Sequence, residues 1–140
     1  KLAPATEAHL ADLLPPGIVD VHNPVDATPI TPTVKYRAMA EALAEAPNVD
    51  AVVGAGVPAT PFQNSLARGE GHREDVTGKD GLATHLARAF DRTTKPVVFS
   101  VDSGALYDPL ARAMRAGGLP TFRRIDRATR ALARYVGVAR

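Results

Sequence analysis

The 140-residue sequence contains no cysteine, no tryptophan and only two methionines. Without thiols it can have no disulfide framework, no cysteine nucleophile and no thiolate ligands for zinc or an iron–sulfur cluster. A reducing cytoplasm is the expected location. Aromatics make up 5% of the residues and the formal charge is only +2, so the stacking platforms and basic tracts of nucleic-acid binders are both scarce. No run approaches the roughly 18 apolar residues that cross a bilayer, and the amino end lacks the charged-then-apolar layout of a signal peptide. Neither nucleic acid nor a membrane is an expected partner. The chain also lacks the G-x-x-x-x-G-K-[ST] loop of P-loop NTPases and the G-x-S-x-G elbow of α/β hydrolases. Gly54 and Gly56 open no G-x-G-x-x-G fingerprint, so a nicotinamide or flavin cofactor has no support.

What is present is a 45% hydrophobic chain in which apolar runs alternate with helical periodicities, the pattern of βαβ units and a parallel sheet. Strands are expected at 18–21 (IVDV), 50–57 (DAVVGAGV), 96–101 (PVVFSV) and 119–122 (LPTF). The two middle runs are continuously apolar, as strands covered on both faces are, and read as the sheet centre. A first helix is expected over 6–14, stopped by Pro15-Pro16. Later helices show apolar stripes at Tyr36, Met39, Ala40 and Leu43; at Leu82, Leu86 and Phe90; at Leu106, Leu110 and Met114; and at Ile125, Ala128, Leu132 and Tyr135. Thr31-Pro32, Thr60-Pro61 and Asp108-Pro109 each pair an oxygen-bearing residue with proline, the signature of a helix start. The polar stretch ARGEGHREDVTGKDG (67–81) reads as a surface excursion.

In an open parallel sheet, ligands bind beyond the carboxyl ends of the strands. The segments HNPVDAT, GVPATP and DSGAL follow the first three expected strands, which gathers Asn23, Asp26, Pro58, Thr60, Asp102 and Ser103 around one rim. Two of these segments lead into helix amino ends, which favour a carboxylate or phosphate. Each residue also has a plainer use: Asn23 and Asp26 as turn formers, Thr60 as a cap. Of His9, His22, His72 and His85, no pair has metal-binding spacing, and only His22 falls on the rim. Arg123, Arg127, Arg130 and Arg134 form a stripe on the last helix that suits either solvent or an acidic partner.

Read end to end, the sequence resembles the third domain of NDP-forming acyl-CoA synthetases, the acetate–CoA ligase family related to succinyl-CoA synthetase. The residues that carry the likeness are TEAHLADLLPP leading into NPVDAT, then AMAEALAEAPNVDAVV, KPVVFS and GGLPTFRRIDRATRALARY, together spanning nearly the whole chain. The resemblance implies one flavodoxin-like domain over 1–140: a three-layer α/β fold with helices on both faces of a parallel sheet, lacking the family's first strand–helix unit. It implies a piece of a larger chain in which acid, CoA and ATP give acyl-CoA, ADP and phosphate through a phosphohistidine. Asn23, Asp26, Val57, Pro58, Ala59, Thr60 and Ser103 would line the acyl-phosphate site. CoA, ATP and Mg would be bound by partner domains: a CoA-binding domain, one bearing the phosphohistidine, and an ATP-grasp domain. No cofactor is expected on this domain alone. The family's His-Thr-Gly-Ala-type motif is absent, so the chain by itself is expected to be inactive. Two other readings stand beside this one: a regulatory ligand-binding half of a protein acetyltransferase fusion, and a receiver-like phospho-acceptor prompted by Asp26, Asp102 and Lys95. For the last, Lys95 precedes its strand where a receiver lysine follows it. Apolar surface left where the first strand belongs would favour homo-oligomers.

Overall fold

A computed structural model describes residues 1–56, 58 and 60–138. Helix α1 (Pro4–Leu13) starts two residues earlier than expected, because Pro4 supplies a preset helical φ at the first turn. It stops where Pro15 and Pro16 force extended backbone, the Leu14 N–H closing the last turn on the Leu10 carbonyl at 3.1 Å. Helix α2 (Thr33–Glu45) lies against it, and Leu2, Leu10, Leu14 and Met39 form a small core between the two. Burying each such side chain contributes about 1.5–3 kcal/mol.

Strands β1 (Val52–Gly56), β2 (Val97–Val101) and β3 (Thr121–Phe122) form a parallel sheet in the order β1-β2-β3. Val52 pairs with Val97 and Gly56 with Val101, while Phe99 and Ser100 pair with Thr121 and Phe122. Helices α3 (Leu82–Phe90) and α4 (Asp108–Ala116) join α2 over one face. There Leu82, Leu86, Phe99, Val101, Leu110 and Met114 make the main core. Helix α5 (Ile125–Val138) crosses the other face over β2 and β3. The stripe residue Ala128 is fully buried, whereas Tyr135 stays exposed. This is the parallel α/β arrangement expected from the alternating pattern, and it fits a flavodoxin-like fold. No described helix is long and apolar enough to cross a membrane.

Three expectations are corrected. Residues 18–21 form no strand: Ile18 is exposed, and Val19 and Val21 pack on the small core without sheet pairing. As a result β1 lies at the sheet edge, and only β2 occupies the centre. Thr60-Pro61 starts a turn rather than a helix, and the Thr60 hydroxyl is committed to the Pro29 carbonyl. At Thr31-Pro32 and Asp108-Pro109 helices do begin, but no side chain caps them; Thr31 bonds back to the Ala27 carbonyl instead. The 67–81 stretch lies largely at the surface yet is anchored inward. Val76 is 1% exposed, and the Glu74 carboxylate accepts the Ser65 and Leu66 N–H groups at 2.7 and 2.9 Å.

Candidate functional site

The chain rises from β1 to a cleft of about 470 Å³ bounded by β1, by residues 23–29 and by the inner faces of α2 and α3. Its depth is apolar, with Leu86, Phe90, Phe99 and Met114 in the wall, and its mouth carries Asn23, Asp26, Thr28, Thr60 and Gln63. Gly54 shapes the floor. A Cβ there would sit 2.1 Å from the Phe99 ring, so the bare backbone is what lets Phe99 lie flat on β1 and meet Phe90 edge-on at 5.6 Å.

The loop over the mouth is held by its own polar side chains. His22 Nδ1–H donates to the Pro24 carbonyl at 2.8 Å, across a cis Asn23–Pro24 peptide. That bond, supported by Asp20, raises the His22 pKa above 6.5, because the protonated ring is the better donor. Asp26 Oδ1 accepts the Thr28 N–H at 2.8 Å, an Asx turn that steadies Thr28 at φ 60°. A β-branched residue in that left-handed region stores on the order of 1–3 kcal/mol, so Asp26 has a definite structural task. Thr60 then ties this loop to the next through Pro29 and receives the Phe62 N–H at 3.2 Å. The Thr33 N–H reaches the Phe62 carbonyl at 3.2 Å, and Ser65 Oγ donates to the carbonyl of buried Pro58 at 3.1 Å.

Of the residues singled out from sequence, Asn23, Asp26, Pro58 and Thr60 are brought together at the cleft. Ser103 is not among its lining residues. Its carbonyl holds the Arg123 guanidinium, which also pairs with Asp108 at 3.1 Å, so the third loop is pinned to the start of α4. Val57 and Ala59 lie outside the described residues. Gln63 and Tyr36 also line the cleft and carried no sequence signal beyond the helical stripe that includes Tyr36. Burial pushes the Tyr36 phenol above its usual pKa, because the charged form is disfavoured away from water. Lys95 is spent at the opposite end of the sheet, its Nζ donating to the Ala46 carbonyl at 2.5 Å. Among the described residues, no three His, Asp or Glu side chains converge as a metal site.

What the arrangement offers is an apolar chamber whose polar mouth includes the Asp26 carboxylate, suited to a small molecule with an apolar body and a polar head. No family model and no curated protein matches this chain. Among solved structures it is similar to PH0766 from Pyrococcus horikoshii OT3, with a TM-score of 0.73 and 25% identity over 94% of this chain. The chain spans 27% of the length of that protein. The likeness carries the α/β architecture.

Proposed function

We propose that this chain is the flavodoxin-like part of a cytoplasmic NDP-forming acyl-CoA synthetase and helps to form its acyl-phosphate site. The observation that supports this most is the position of the Asn-Pro-Val-Asp element: Asn23 and Asp26 stand at the mouth of an apolar cleft beside Pro58 and Thr60. In this reading the acyl tail enters the apolar depth, and the mouth orients the phosphoryl end toward a phosphohistidine on a partner domain. That partner, a CoA-binding domain and an ATP-grasp domain bind CoA, ATP and Mg. The present residues position and exclude water, which is most of what phosphoryl transfer asks of a protein.

The test is a titration of the isotopically labelled chain with acetyl phosphate and butyryl phosphate, with inorganic phosphate as the control. Amide shifts concentrated at residues 23–28 and 60–63, larger for the acyl phosphates than for phosphate, are the expected result. Unmoved amides at millimolar ligand would remove the site assignment. The chain alone should form no acyl-CoA from acetate, CoA and ATP; turnover above a blank would contradict its dependence on partners.

A further inference from the structure

The polar side chains at the mouth of the cleft are mostly engaged already or lie in water. The Thr60 hydroxyl donates to the Pro29 carbonyl, Asp26 Oδ1 accepts the Thr28 N–H, the Thr28 and Thr31 hydroxyls meet at 3.3 Å, and Asn23 is exposed. Gln63 differs on both counts. It lines the cleft and is 8% exposed, yet neither atom of its carboxamide has a hydrogen-bond partner among the described residues. A buried carboxamide without partners is uncommon, because folding has taken its donors and its acceptor out of water. The backbone on either side of it is fixed: the Phe62 carbonyl accepts the Thr33 N–H at 3.2 Å, the Asn64 N–H donates to the Thr33 hydroxyl at 3.0 Å, and the Asn64 carbonyl accepts the Leu82 N–H at 2.7 Å. Gln63 is thus clamped between the first turns of α2 and α3 and held ready for a ligand.

We propose that Gln63 is a specificity-determining residue that selects an acyl group with an uncharged hydroxyl near its carbonyl carbon, a hydroxyacyl phosphate in preference to a plain alkyl one. An alkyl acyl phosphate brings hydrogen-bond acceptors alone, so it can take the Gln63 amide N–H groups but leaves the Gln63 oxygen unpaired. A hydroxyl both donates and accepts, and so completes the carboxamide. Its place on the acyl chain follows from that of Gln63, which stands at the mouth with Asp26 and Thr60 and not among the apolar side chains of the depth. A second carboxylate held inside is a poor match, since no Lys, Arg or His lines the cleft and a buried charge needs a partner. The inference rests on the acyl-phosphate reading and narrows its substrate class.

The experiment titrates the labelled 140-residue chain with two hydrolysis-resistant phosphonates, 2-oxopentylphosphonate and 4-hydroxy-2-oxopentylphosphonate, the methylene analogues of butyryl and 3-hydroxybutyryl phosphate. The hydroxylated compound should bind about tenfold more tightly, the worth of one well-made hydrogen bond in place of an unpaired group. Gln63→Leu should bring the two dissociation constants together, chiefly by weakening the hydroxylated compound. The ratio of the two constants is the readout, because a variant that merely loosened the cleft would weaken both compounds alike. Equal binding of the two by the unaltered chain would overturn the proposal and leave the acyl-phosphate reading standing. Binding of neither would remove both. A preference that survives in Gln63→Leu would also overturn it, since another group would then be reading the hydroxyl. If the leucine variant does not fold, Gln63→Met, which keeps the unbranched shape, makes the same comparison.

Discussion

Strand β2 is sealed and strand β1 is not. On β2, Val98, Phe99, Ser100 and Val101 are all buried, with a strand on each edge and helices on both faces. On β1, burial alternates along the strand, Val53 is 42% exposed, and a single neighbour supplies every ladder bond. Yet both are continuous apolar runs, the composition of a strand enclosed all round. The difference teaches that β1 has the residues of a central strand while occupying an edge, and that the cleft is the space between those two conditions.

The widest contrast should come from truncating one residue on each strand. Phe99→Ala removes the ring that packs on Gly54 and Phe90 and is expected to cost about 3–5 kcal/mol. Val53→Thr, on the open face, should stay within about 0.5 kcal/mol. Urea denaturation of both would erase the contrast if the two losses came out similar. Gly54→Ala comes next. Its new methyl must displace the Phe99 ring, for an expected loss of about 1–3 kcal/mol together with a change in the shape of the cleft. A stable Gly54→Ala variant with an unchanged cleft would mean that the floor is softer than β2 packing implies.

The smallest effect is a pH dependence of the rim. His22 has its pKa raised above 6.5 by the Pro24 carbonyl, so its contribution is fully present below 6.5 and is lost as pH rises through the higher folded-state value. Nuclear magnetic resonance titration should show this ring deprotonating later than a peptide histidine, with the Pro24 and Val25 signals following the same curve. A midpoint below 6.5 would mean that the bond does not form in solution.

Much of the sheet was legible because VVGAGV and PVVFSV are short, valine-rich apolar runs of strand length, and the helices followed from stripes such as Leu82, Leu86 and Phe90. The sequence misled at 18–21, where IVDV has a strand's composition but pairing is a property of the neighbour and not of the segment. Thr60-Pro61 misled for a related reason: the same two residue types stand before a helix at Thr31-Pro32 and in a turn here, so the pair alone does not decide which follows. At the rim, Pro58 and Thr60 stand at the cleft because a loop after a parallel strand emerges at its carboxyl end, whereas Asn23 and Asp26 reach it with no strand before them. Ser103 was misplaced because Arg123, twenty residues away, decides where its loop lies.

One contact described above joins two parts of the chain that β1 separates. Thr33, the first residue of α2, gives its N–H to Phe62, and its hydroxyl receives the Asn64 N–H at 3.0 Å across a separation of 31 residues. A helix whose first turn is completed by chain from beyond β1 cannot finish that turn from local sequence. The amino end of α2, and the rim loop that leads into it, are thus held by contacts of high sequence separation. The part of the molecule that holds the proposed ligand is therefore tied to chain on both sides of β1.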